Sequence, residues 1–567
     1  MKRPLLVLFL GFAGPLLLAQ DASRLDAHRI TSGEFRTERF GPARWLDGAH
    51  YATLEPKEGG PPELVRYEAV SGKRDVLVSA AMLASAAGPI AIEDYVLSPD
   101  QTELLVFTQS ERVWRQNTRG EYYVLSLGGK HEPLRLGGDL PKSTLMFAKW
   151  SPDGTRVAYV AQNDLYVEDV ATRKRTRLTK DGSTTVINGT FDWVYEEEFD
   201  CRDGFRWSPD GRSIAYWQLD CSGVGEFLMI DNLADRYSKV VPVQFPKAGT
   251  TNSSCRVGVI AASGGATVWM DTPGDPRETY LPRMEWHPKG EELMVQWLPR
   301  EQNVLQVLGC DVKTGDCRVV HEERDAAYVD VRGDFRWLEK GEKFFWTSDV
   351  AFQGEDKKAW RQAGTIVWDT RGKHMLVTHL AWTRGFDVID VVHVDVEKGT
   401  CYVGASPNGM QKYLAATPRE GFEPGAPLRY SSLVGAMDRA VQHGWHEYQV
   451  SPNGALAIHM FSSFDNPPVV DLVKLPSHES VRVLVDNKKL RDKYAAVANG
   501  KNDFFEVKTA DGTVLDGWAM WPPDFDPAKS WPVVFHVYGE PWAQTVKDTW
   551  FLGHHLLHRW LTQQGYV

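Results

Sequence analysis

A short phrase recurs along this chain and limits what it can fold into. It reads Leu97-Ser98-Pro99-Asp100, Trp150-Ser151-Pro152-Asp153-Gly154, Trp207-Ser208-Pro209-Asp210-Gly211, Trp286-His287-Pro288-Lys289-Gly290 and Val450-Ser451-Pro452-Asn453-Gly454. Weaker echoes stand at Trp45-Leu46-Asp47-Gly48 and Trp337-Leu338-Glu339-Lys340-Gly341. Proline, aspartate and glycine in this order make a tight turn. Alternating stretches such as Arg156-Val157-Ala158-Tyr159-Val160 follow it, and a second strand and a polar turn often come next. Each phrase therefore closes one hairpin per repeat, with the Trp or apolar residue before it packed inward. Most gaps between phrases are roughly the length of a four-stranded propeller blade, so a mainly β chain folded as a β-propeller is expected. A run of unrelated hairpins in a sandwich is the alternative.

At 567 residues the chain exceeds one ordinary core, and two or more domains are expected. The net charge of −11 argues against nucleic acid as a partner, which needs basic patches. Residues 1–20, MKRPLLVLFLGFAGPLLLAQ, read as a secretory signal peptide, so the mature protein is expected to be exported, to the periplasm or the medium. Cys310 and Cys317 flank a hairpin-turn sequence and could pair across two strands; Cys201, Cys221, Cys255 and Cys401 have no deducible pairing.

The pattern changes near residue 490. Lys488–Ala498 looks helical, and Phe504–Thr509 restarts strand alternation before the Asp511-Gly512 turn. Pro532–Tyr538 is a near-continuous apolar run, expected to be a strand buried on both faces of an α/β sheet. A helix with Leu556, Leu557, Trp560 and Leu561 on one face follows, with Gly565 as its C′ residue. A strand, a helix and the first residues of another strand read as an interrupted β–α–β unit, which the sequence leaves at Val567.

The segment Asp192–Phe199 sets three consecutive carboxylates, Glu196, Glu197 and Glu198, between Trp193, Tyr195 and Phe199. Acids this close raise one another's pKa unless a cation is near, so the run suits a site that receives positive charge. A solvated acidic first turn of a helix is the plainer reading.

Together, Asp192–Glu198 (DWVYEEE), Trp297–Asn303 (WLPREQN), Phe245–Gly249 (FPKAG), Ser462–Pro468 (SSFDNPP), Asp511–Thr513 and Val537–Pro541 (VYGEP) resemble the dipeptidyl peptidase IV family, in the prolyl oligopeptidase group of serine peptidases. The resemblance covers about Glu34 to Val567. It implies an eight-bladed β-propeller over residues 51–490, after an N-terminal segment, 21–50, that packs near a hydrolase domain. It also implies the start of an α/β-hydrolase domain at 491–567, truncated before the nucleophile. Carried over by motif, Glu197 and Glu198 would hold the α-ammonium of a peptide substrate, and Arg115, in Val113-Trp114-Arg115-Gln116, its second carbonyl and one glutamate. Tyr538 would stabilise the oxyanion. Adjacent strand residues face opposite ways, so two converging glutamates require helical or irregular backbone. Glu540 departs from the family pattern, which has a small residue there.

The implied activity is a serine exopeptidase releasing Xaa-Pro or Xaa-Ala dipeptides from peptides with a free N-terminus, with no cofactor and a possible homodimer in the full-length protein. The family's Ser–Asp–His triad needs a G-x-S-x-G elbow, and none is present. Gly404-Ala405-Ser406-Pro407-Asn408 comes nearest and reads as another turn, so the triad is expected beyond Val567 and the chain alone to be inactive. His554 and His558 lack the glutamate of H-E-x-x-H, and no metal site is expected. The reading from another class is a non-catalytic exported propeller that binds a peptide or protein.

Overall fold

A computed structural model of the chain describes residues 21–85, 88–128, 132–350, 361–368, 377–381, 387–395, 400–418, 429–430, 443–539, 543–550 and 552–567. The stretch read as a signal peptide and Glu540 lie outside these residues.

Antiparallel sheets follow one another in chain order. The first has four strands, from Ala43–Trp45 to Arg74–Val78. The next, from Asp94–Leu97 to Arg175–Arg177, has eight, because Leu145 and Met146 pair with Gly120 and Arg119 and so fuse two meanders. A five-stranded sheet from Val186–Asn188 to Val268–Trp269 comes after it. Four-stranded sheets then begin at Thr279–Trp286, Arg336–Leu338, Asp387–Asp395 and Trp445–Val450. The hairpin Glu226–Asp231/Lys239–Gln244 stands apart as its own two-stranded sheet, with Leu228, Met229, Ile230 and Leu233 exposed along it.

The recurring phrase explains how these sheets are joined. At Ser151 the hydroxyl donates to Asp153 and accepts the Arg156 N–H at 3.0 Å, while Gly154, at φ +72°, returns its N–H to the Ser151 carbonyl at 2.9 Å. Ser208 and Ser451 repeat the pattern. In the fourth phrase His287 takes the serine's place, with Nδ1 accepting the Lys289 N–H at 3.2 Å.

The tryptophan before each turn does more than pack inward. Trp150 donates its indole N–H to the Val96 carbonyl at 3.3 Å, Trp207 to Lys149 at 3.3 Å, and Trp286 to Arg206 at 3.1 Å. Each acceptor lies one residue before the aromatic or apolar residue of the preceding phrase. Trp45 does the same to Gln449 at 2.9 Å, which joins the first sheet to the last of the four-stranded ones. Tyr51 and Ala69 pack there with Leu456, Ile458, Val470 and Leu472. Cys310 and Cys317, directly opposed on neighbouring strands, form a disulfide. The other four cysteines are free and buried.

Leu25 and Phe35 pack against Leu490, Tyr494, Val497, Trp550 and Leu556, so the segment before the first sheet meets the last helices. The helix Leu552–Gln563 ends as its glycine foretells: Gly565 has φ +85° and donates to the Thr562 carbonyl, and Tyr566 donates to Leu561.

Two expectations need correction. Pro532–Tyr538 has no regular secondary structure and is not a buried strand: Phe535 is 86 % exposed and Val537 79 %. Its backbone bonds to Val567, through Val534 N–H to the Val567 carbonyl and Val567 N–H to the Pro532 carbonyl. A strand is buried by flanking strands and covering helices, and among the described residues this run has no strand paired along it. Leu557 also turns outward, 42 % exposed, while Leu556 is buried.

Candidate functional site

The acidic run forms a two-turn helix, Trp193–Phe199. Asp192 caps it, accepting the Tyr195 N–H at 3.0 Å and the Ser253 hydroxyl at 2.5 Å. Asp200, in the left-handed region at φ 54°, ends it. Tyr195 and Phe199, four residues apart, share the inner face and pack with Phe191, Trp217 and Tyr280. The Tyr195 hydroxyl accepts the Leu281 N–H at 3.1 Å.

Consecutive helical residues are about 100° apart, so three consecutive glutamates cannot share one environment. Glu196 points inward, 4 % exposed, and faces Arg202 at 3.4 Å. Burial pushes its carboxyl above the ordinary range, and Arg202 opposes that shift. Burial likewise raises the Asp192 carboxyl, against the hydrogen bond from Ser253. These acids are structural, and the solvated-turn reading does not fit them.

Glu197 and Glu198 remain on the outer side. The Glu197 side chain is 14 % exposed, and its carboxylate lies 2.7 Å from Nε of Arg115, which is 74 % exposed. Glu198 is exposed. Arg115 arrives from another sheet. It follows the tip of the long hairpin Glu103–Val113/Gln116–Ser126, where Trp114 takes φ +50°. The root of that hairpin lies in the fused sheet, while its outer part pairs with the next meander, and this carries the arginine across to the acidic helix.

The structure thus brings Arg115 and Glu197 together with Glu198 beside them, on a helix rather than a strand. It places Tyr538, 51 % exposed, on the segment 531–539, which has no regular secondary structure. Asp192 and Arg202, which hold the helix, were not singled out from sequence. Aspartate at the N-cap position was the available signal for Asp192; nothing local marks Arg202 as the partner of Glu196. Ser406 ends the strand Thr400–Ser406 and is buried, and Asn408 caps the turn after it.

A family model for the dipeptidyl peptidase IV (DPP IV) N-terminal region matches residues 98–468. The chain belongs to the dipeptidyl peptidase IV family. Among curated relatives, a probable dipeptidyl-aminopeptidase B of Emericella nidulans is 25 % identical over 482 residues, covering 79 % of this chain and 50 % of that protein. A dipeptidyl peptidase 4 of Trichophyton equinum is 26 % identical over 482 residues, covering 82 % of this chain and 58 % of its own length. The chain therefore spans little more than half the length of these relatives. The crystal structure of Porphyromonas gingivalis dipeptidyl peptidase 4 superposes with a TM-score of 0.83 at 25 % identity, over 96 % of this chain and 73 % of that one.

Proposed function

We propose that the full-length protein is an exported serine exopeptidase of dipeptidyl peptidase IV type, releasing Xaa-Pro or Xaa-Ala dipeptides from peptide N-termini. Residues 51–490 are read as an eight-bladed propeller, residues 21–50 as a segment packing near the hydrolase domain, and 491–567 as the start of that α/β-hydrolase domain. Glu197 and Glu198 bind the substrate ammonium. Arg115 holds the carbonyl of the second residue while keeping Glu197 oriented. Tyr538 hydrogen-bonds the oxyanion. Nucleophile, acid and base lie outside this chain, which by itself binds peptide without cutting it. The full-length enzyme is read as a homodimer.

The observation that carries this reading is the Arg115–Glu197 pair. It joins two residues 82 positions apart and leaves an exposed second carboxylate, Glu198, one residue away. An ammonium between the two carboxylates relieves their repulsion and fixes the distance from the peptide's first residue to the bond cut. An endopeptidase has no use for such an anchor.

The test is dipeptide release from Xaa-Pro peptides by the full-length protein. Replacing Glu197 and Glu198 by Gln removes a charge-assisted contact worth about 3 kcal/mol, so kcat/KM is expected to fall by about 100-fold. Unchanged release by the double variant refutes the amine anchor. Absence of any release by the intact protein favours a peptide-binding module.

A further inference from the structure

The outer face of the acidic helix is not wholly polar. Trp193 precedes Glu197 by four residues and so lies on the same face one turn back, and helical side chains lean toward the N-terminus. The spacing therefore puts the turn that carries the indole next to Glu197 along this face. Trp193 is only partly buried. Its ring stands edge-on to Phe245, with centroids 4.5 Å apart and planes at 63°. Phe245 is fixed from behind: its N–H donates to the Gly225 carbonyl at 2.8 Å, at the base of the Glu226–Gln244 hairpin, and its ring meets Phe227 at 6.1 Å. Val194, the corresponding neighbour of Glu198, packs instead against the core under the helix. Accessible aromatic surface on this face thus lies on the Glu197 side, and Arg115 meets that carboxylate from a different sheet.

We propose that Trp193, backed by Phe245, is the wall on which the side chain of the substrate's first residue rests, so that the site selects peptides beginning with a large apolar residue. This rests on the reading of Glu197 and Glu198 as the amine anchor. The first side chain branches one bond from the ammonium, so anchoring the nitrogen there sets that side chain down within a few ångströms of the carboxylates. An aromatic or long aliphatic group gains by covering the indole. An acidic side chain meets Glu197, Glu198 and Asp200 and is disfavoured.

The test is calorimetric binding of Phe-Pro-Ala, Ala-Pro-Ala and Asp-Pro-Ala to the 567-residue chain, each with a free and with an acetylated N-terminus. Half-covering a phenyl ring is worth about tenfold in affinity. The unaltered chain is expected to bind Phe-Pro-Ala about tenfold tighter than Ala-Pro-Ala, with Asp-Pro-Ala weakest. Trp193→Ala should bring the first two affinities together, and Trp193→Phe, which restores an aromatic ring, should keep most of the difference. No preference in the unaltered chain, or a preference that survives Trp193→Ala, overturns the wall, and the amine anchor then stands if acetylation still weakens binding. Acetylated peptides binding as tightly as free ones, or no peptide binding at all, overturns the anchor itself and the wall with it.

Discussion

Replacing Asp192 tests what holds the acidic helix in place. Asp192 is 7 % exposed, and its carboxylate accepts the Tyr195 N–H at 3.0 Å and the Ser253 hydroxyl at 2.5 Å. In Asp192→Ala the lost cap costs about 1 kcal/mol. Among the described residues the Ser253 hydroxyl, buried as well, then keeps Cys221 Sγ at 3.4 Å, a weak acceptor, which adds about 1–3 kcal/mol. The sum is about 2–4 kcal/mol. Asp192→Asn keeps an oxygen for Tyr195 and sheds a charge that burial disfavours, so it should stay within about 1 kcal/mol of the unaltered chain. The pH dependence has a definite sign. A carboxyl raised in the folded state contributes its full stability below the unfolded value, near pH 4, and loses it as pH rises through the higher folded value. The Asn variant should therefore compare best above that folded value and worst below pH 4. Urea midpoints give the global cost, and amide hydrogen exchange at Tyr195, Glu196 and Glu197 gives the local one. If Asp192→Ala leaves both unchanged, or if Asp192→Asn is as damaging as Asp192→Ala, the capping argument is wrong.

Other consequences follow from the same contacts. Trp45→Phe removes one of the hydrogen bonds that join the first sheet to the last four-stranded sheet and should lower stability by about 1 kcal/mol in urea, with Trp207→Phe behaving alike at an internal junction. Reducing Cys310–Cys317, or replacing both residues by Ala, opens a loop of sequence separation 7 and should cost about 2–3 kcal/mol, seen as a lower thermal midpoint that dithiothreitol reproduces in the unaltered chain. Burial lowers His478 and His558 to about 4 and His555 to about 3. The unfolded chain then binds more protons than the folded one between about pH 6.5 and those values, so stability should fall as pH drops through that window. His478→Gln should flatten part of the decline, and a urea midpoint independent of pH between 7 and 4 would contradict it.

The turn phrase was legible because its chemistry is local: a serine or histidine side chain, a proline and a glycine close the turn without help from elsewhere. That strands alternate around those turns, that Cys310 could meet Cys317, and that Gly565 ends its helix were legible for the same reason. The Trp45–Gln449 contact was not, since a chain 404 residues long separates donor from acceptor and no local pattern records which sheet follows the last. Pro532–Tyr538 shows the converse failure: an apolar run signals a buried strand only where neighbours exist to bury it. In the acidic run, sequence determined that three carboxylates are consecutive in the chain and that such a group suits a cation. Tertiary structure decided which carboxylate does what. The helix turns each residue by about 100°, so Glu196 goes inward to a partly buried Arg202, Glu197 to an arginine from another sheet, and Glu198 to solvent.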